Sequence, residues 1–359
     1  MGLHHRSLRF LETLCPRTHD LAMSKAILNP GNQKSETRKA MTSHQTTSRV
    51  KCSQTCGPRS APAMAVAALL VTSLIWGCVP QKAMTSESTR KKVEVHYKAG
   101  ALYLQEGKTP QALKELLAAH ELDPVNPDVE HALGLAYQQK GMYDQAIEQY
   151  DRALKLEPKL TEARNNLGTV YLVKAQYDQA IEQFEKCLQD PLYGTPEKAL
   201  YNLGMAYFQK GQPEKAIQYY QKAVSADDQN VMALYNLAFC YESQKQYAKA
   251  LENYRKAIKI DPKFKEAHLQ IGLILTRQKE HDEAVRIFKK ILTMDPDYQP
   301  AHFQMGVTLI ETGKVADGLK KLEMIKNMDP TGPLGKEAEE RIEAIRKDKS
   351  KAPTKEAAG

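Results

Sequence analysis

The chain has 359 residues, 42% of them hydrophobic and 26% charged, a globular composition whose length alone gives about two domains. Its net charge of +8 does not mark a nucleic-acid binder: residues 1–77 hold ten Lys/Arg against three Asp/Glu, and the remainder is nearly neutral. A neutral body offers no basic stripe for phosphates.

The first element is MAVAALLVTSLIWGCVPQ, residues 64–81. Its apolar run is too short to span a bilayer and suits a signal h-region. Leu74-Ile75-Trp76-Gly77-Cys78 resembles a bacterial lipobox, which implies that Cys78 is acylated and becomes the first mature residue. Residues 1–40 fit no secretion signal, whereas a start near Met41 or Met64 does. The expected division is a leader at 1–77 and a lipidated linker at 78–92. Val79-Pro80 after the cysteine, with no Asp, implies by that resemblance an outer-membrane, periplasm-facing anchor, and a multiply acylated anchor holds stably. Cys52 and Cys56 have no partner set for zinc.

From residue 93 the sequence repeats. Gly100, Gly134 and Gly168 are 34 residues apart, as are Gly204, Ala238, Gly272 and Gly306. The units start at residues 93, 127, 161, 197, 231, 265 and 299; positions within a unit are counted from these starts. Each reads as helix, turn, helix. LGLAYQQKGMYDQAIEQYDRALKLEP (133–158) resembles the tetratricopeptide repeat, with Leu133, Gly134, Tyr137, Ala146, Tyr150, Ala153 and Pro158 at its signature positions. A small residue at position 8 and Ala at 20 and 27 let paired helices approach. Pro at 32 stops the second helix, and Gly107, Gly141, Gly211 and Gly313 make the turns. The fold class is all-α, a superhelical solenoid of about seven helix pairs over 93–332. Residues 333–347 form an amphipathic cap with Leu334, Ala338, Ile342 and Ile345 on one stripe. Residues 348–359 are low in complexity and expected to be disordered.

No GxSxG, HExxH, P-loop or GxGxxG occurs, so the chain is expected to be no enzyme, with no cofactor, no metal and no small-molecule substrate. His96, His268 and His302 recur at position 4 and read as packing residues. Cys187 and Cys240 lie two units apart, beyond disulfide reach.

Positions 2, 5, 9 and 12 of each first helix make a second stripe, which by the tetratricopeptide resemblance lines the inner face. It carries Leu172 in unit three, and Tyr201, Met205, Phe208, Met232, Tyr235 and Phe239 in units four and five. Leu269, Leu273, Phe303 and Val307 continue it. An apolar stripe on an open groove suits an amphipathic helix or extended peptide, although cover by neighbouring helices is the alternative. Arg277 and Lys198 are isolated, so a carboxylate clamp is disfavoured.

The step from Gly168 to Gly204 is 36 residues, because DPLYGTP (190–196) lengthens one bridge. Thr195 is expected to cap the next helix, and Leu192 and Tyr193 to pack on neighbouring helix ends. A leader ending in a lipid-type cysteine, followed by repeats broken by DPLYGTPEKAL, resembles the type IV pilus pilotin lipoproteins (PilF, PilW, Tgl). That family usually shows six units; here there are seven, with Gly318 in place of Ala at position 20 of the last. The resemblance implies an outer-membrane-anchored adaptor that binds pilus secretin subunits and aids their localisation or multimerisation. An envelope scaffold for other machinery, such as cell-wall enzymes, and a cytoplasmic adaptor are the alternatives.

Overall fold

A computed structural model describes the backbone of residues 86–351 and the side chains of 86–347. The expected leader 1–77, the expected acyl acceptor Cys78 and the tail from 352 lie outside the described residues. Two compact units divide at Val93. Of the first, the described part is the opening of α1, where Ser86 Oγ accepts from Thr89 N at 3.1 Å.

The described chain is helical throughout. The helices pair as α1 (Glu87–Gln105) with α2 (Thr109–Leu122), α3 (Pro127–Gln139) with α4 (Tyr143–Leu156), and α5 (Thr161–Val173) with α6 (Tyr177–Leu188). After the bridge come α7 (Pro196–Gln209) with α8 (Pro213–Ala226), and α9 (Val231–Ser243) with α10 (Tyr247–Ile260). Next are α11 (Lys265–Arg277) with α12 (His281–Met294), α13 (Gln299–Glu311) with α14 (Val315–Met328), and the single α15 (Pro333–Lys351). From Glu94 on they stack as a solenoid of helix pairs. Helix α1 opens at Glu87, inside the stretch expected as linker, and α15 runs past 347, the expected end of the cap. No Gly or Pro interrupts the sequence there before Pro353.

The core follows from size complementarity at positions 8, 20, 24 and 27. A Cβ on Gly134 would stand 2.5 Å from the Tyr150 ring, one on Gly168 2.5 Å from Phe184, and one on Gly272 2.4 Å from Phe288. The glycine is a slot for the position-24 ring of the partner helix. Tyr150, Phe184, Tyr220, Tyr254 and Phe288 are fully buried in this way, each worth about 3–5 kcal/mol against truncation to Ala. Ala146, Ala153, Ala216 and Ala250 are completely covered beside them.

Position 15 always turns left-handed. Gly107, Gly141, Gly211 and Gly313 have φ of 70–82°, and Ala175, Lys245 and Lys279 hold the same place at 56–65°. No atom crowds these four glycines, so glycine is favoured there by conformation alone. At the far end α15 takes the place of the first helix of a further unit. Ala338 and Ile342 bury against Phe303, Leu322 and Ile325.

Candidate partner-binding face

Successive first helices meet along a seam built from positions 5, 6, 9 and 12. Its polar part is a ladder. Asn166 Nδ2 donates to His131 Nε2 at 2.9 Å, Asn202 Nδ2 to Asn165 Oδ1 at 3.1 Å, and Asn236 Nδ2 to the Tyr201 hydroxyl at 3.0 Å. Each joins position 6 of one unit to position 5 of the unit before. Burial holds the His131 ring below its ordinary pKa, which suits a neutral ring accepting at Nε2. Position 6 of this ladder lies outside the stripe of positions 2, 5, 9 and 12, although Asn166, Asn202 and Asn236 recur immediately before the Leu at position 7.

The apolar part is less open than an unroofed groove. Leu172, Met205 and Tyr235 are buried, with exposures of 7%, 2% and 6%. Tyr201, Phe208, Met232 and Phe239 are half-buried. The cover comes from the neighbouring helices. Phe208 meets Phe239 edge-on at 5.6 Å, Tyr201 lies 5.8 Å from Tyr220, and Tyr235 lies 5.0 Å from Phe264 and 5.4 Å from Tyr254. Of the seven stripe residues, Tyr201, Phe208, Tyr235 and Phe239 make these ring contacts, and Tyr201, Phe208, Met232 and Phe239 keep an accessible edge. Phe303 and Val307, expected to face a partner, pack instead in the cluster roofed by α15, where the Arg341 guanidinium lies 5.4 Å from the Phe303 ring centre.

Positions 12 and 24 vary together. Tyr150 donates its hydroxyl to Gln138 Oε1 at 2.7 Å, and Tyr254 donates to Glu242 Oε2 at 3.0 Å. Where position 24 is Phe184, position 12 is the apolar Leu172. Two units depart from this: Tyr220 shares its unit with the apolar Phe208, and its hydroxyl turns toward Asn236 of the next, while Phe288 shares its unit with Thr276, whose hydroxyl donates to Gly272 O of its own helix. Arg277 is not a free cation: its Nη1 donates to Glu242 Oε1 at 2.6 Å. Burial raises the Glu242 pKa, and the Arg277 charge and hydrogen bond pull it partly back. Arg277 is thereby committed to an internal pair.

The lengthened bridge is held by Asp190, which accepts from Thr161 Oγ1 at 2.8 Å and from Leu192 N at 2.9 Å. These bonds hold its carboxyl below the usual range, the backbone contribution being the larger. Tyr193 is buried, as expected, but Leu192 is 87% exposed, because the turn closed on Asp190 directs it outward. Thr195 makes no cap hydrogen bond. The Thr195 hydroxyl pairs instead with Tyr193.

The position-4 histidines serve helix ends. Pro262 O and Pro296 O accept from Nε2 of His268 and His302 at 3.1 and 2.7 Å, as Pro158 O accepts from Arg164 at 2.7 Å. His96 pairs with Glu115 at 2.8 Å. Cys187 and Cys240 are free and buried. Burial pushes both thiols up to about 12, which leaves them unreactive. Among the described residues no group of three or more His, Cys, Asp or Glu is placed to hold a metal, and no helix is long and apolar enough to cross a membrane.

Comparison with known proteins agrees with this architecture. Family profiles described as "Tetratricopeptide repeat" match residues 159–229, 197–263, 241–299 and 275–342. One described as "TPR repeat" matches 100–141 and 139–174. No curated protein matches the chain. Among solved structures, one from work on Pseudomonas aeruginosa PilF superposes with a TM-score of 0.54 at 22% identity. It covers 60% of this chain and 97% of that one. A tetratricopeptide repeat protein from Parabacteroides merdae has a TM-score of 0.52 at 17% identity, over 69% of this chain and 97% of that one. The anaphase-promoting complex assembly Cut9–Hcn1 gives 0.54 at 14% identity, over 71% and 51%. At these identities the likeness is one of fold.

Proposed function

Because the chain is a tetratricopeptide repeat protein, a fold that typically serves as a protein-interaction scaffold, we propose that it is a membrane-tethered adaptor for pilus secretin subunits. The carrying observation is the seam of units four and five. Tyr201, Phe208, Met232 and Phe239 keep accessible apolar edges there, next to the half-buried amide of Asn202. Such a surface buries an apolar partner side chain and offers a donor and an acceptor to its backbone.

The pilotin assignment rests on the lipobox-like sequence at Cys78 and on the DPLYGTP bridge. The fold shared with the PilF structure is compatible with it. In this reading the acyl chains confine the adaptor to the periplasmic face of the outer membrane. The linker then raises the local concentration of bound secretin where it must assemble. Recognition and tethering suffice, without a covalent step.

The test is Cys78→Ser in cells, read by membrane fractionation and a secretin-multimer blot. The protein is expected to leave the outer-membrane fraction, and secretin multimers there to fall. Multimers persisting at the normal level would refute the pilotin role. Capture of cell-wall hydrolases without secretin would favour the scaffold alternative.

A further inference from the structure

Position 11 is tyrosine in the first five units (Tyr103, Tyr137, Tyr171, Tyr207, Tyr241) and leucine in the last two (Leu275, Leu309). The middle tyrosines close the outer furrow between one second helix and the next. Tyr207 stacks on Tyr219 with centroids 5.2 Å apart and planes 7° from parallel. Its hydroxyl donates to Glu185 Oε1 of the preceding unit at 3.3 Å. Tyr241 is tied to the preceding unit in the same way, accepting from Gln221 Nε2 at 2.8 Å.

Glu185 and Gln221 both occupy position 25. That position reads Asp151, Glu185 and Gln221 ahead of Tyr171, Tyr207 and Tyr241, but Arg255 and Lys289 ahead of the two leucines. Where the ring is lost, the acidic or amide partner becomes a base. Between α12 and α14 the vacated space is a cleft of about 440 Å³. Met305 and Leu309 line it with Met324, and Lys289, Lys320 and Lys321 stand around it with one acid, Asp317. It continues past Lys289, Met305 and Lys321 into a second hollow of about 460 Å³. None of these three lysines forms an ion pair with a described carboxylate; Lys321 Nζ lies 3.4 Å from His302 Nδ1.

We propose that this outer cleft of the last two units docks an acidic, amphipathic segment of another protein. An apolar side chain of that segment takes the space filled by Tyr207 and Tyr241 in their units, and its carboxylates meet the lysines. The cleft lies on the second-helix side, away from the first-helix seam. It therefore adds a second contact to the adaptor and stands whether or not the secretin assignment does.

The test uses the full chain and a short fluorescent peptide with leucines on one helical face and glutamates on the other. Its lysine-for-glutamate counterpart and phosphatidylglycerol vesicles are the comparison probes. The acidic peptide is expected to bind saturably and to weaken with salt. Lys320→Glu, and separately Leu309→Tyr with Lys289→Glu, are each expected to weaken it by about tenfold or more. The double change rebuilds the tyrosine bridge, so its melting temperature is expected to hold or rise. Lys320 is exposed and carries the test alone if the double variant does not fold. Absence of binding, equal binding of the two peptides, indifference to Lys320→Glu, or binding to vesicles in place of the peptide would overturn the proposal.

Discussion

Tyr150 and Tyr254 keep their hydroxyls because Gln138 and Glu242 accept from them, whereas Phe184 stands with Leu172 and lacks one. The same pair of repeat positions thus carries a polar couple in units two and five and an apolar one in unit three. Phe184→Tyr would bury a hydroxyl with no acceptor at position 12, and an unmade buried hydrogen bond costs about 1–3 kcal/mol. Adding Leu172→Gln supplies the acceptor found in unit two. Urea titrations of the two single variants and the double are expected to show a favourable coupling above about 0.5 kcal/mol. Additive losses would show that the two positions do not act together.

At the scale of the helix, the last element tests what the array needs. Helix α15 covers Phe303, Leu322 and Ile325. Removing the chain after Asp329 is expected to lower the melting temperature and promote association through that end, measured by calorimetry and light scattering. A truncated chain as stable and monomeric as the parent would show that the cap is dispensable. The helices themselves were legible in the sequence. Glycines at 34-residue steps, alanines at 20 and 27, and left-handed Gly107, Gly141, Gly211 and Gly313 fix helix, turn and slot by local chemistry. Contacts set by stacking between units were not. A helical wheel places Phe303 and Tyr235 on one stripe, but their cover depends on how the following first helix lies. Leu192 likewise points outward because of one turn closed on Asp190, a detail no periodicity carries. The change from tyrosine to leucine at position 11 stood in the sequence, but its consequence, an open furrow, needed the partner residue on the preceding unit.

At the scale of the molecule, the tetratricopeptide repeat fold is one that typically serves as a protein-interaction scaffold. The account depends on the first-helix seam of units four and five being the holding surface. The most direct measurement is the affinity of the purified chain for purified pilus secretin protomers, for the parent and for Met232→Glu with Phe239→Gln. Both substitutions fall on half-buried edges, and circular dichroism checks that the helices persist. The account predicts saturable binding by the parent and a loss of about tenfold or more in the folded variant. A folded variant that binds secretin as tightly as the parent, or a parent that does not bind it, would contradict the account.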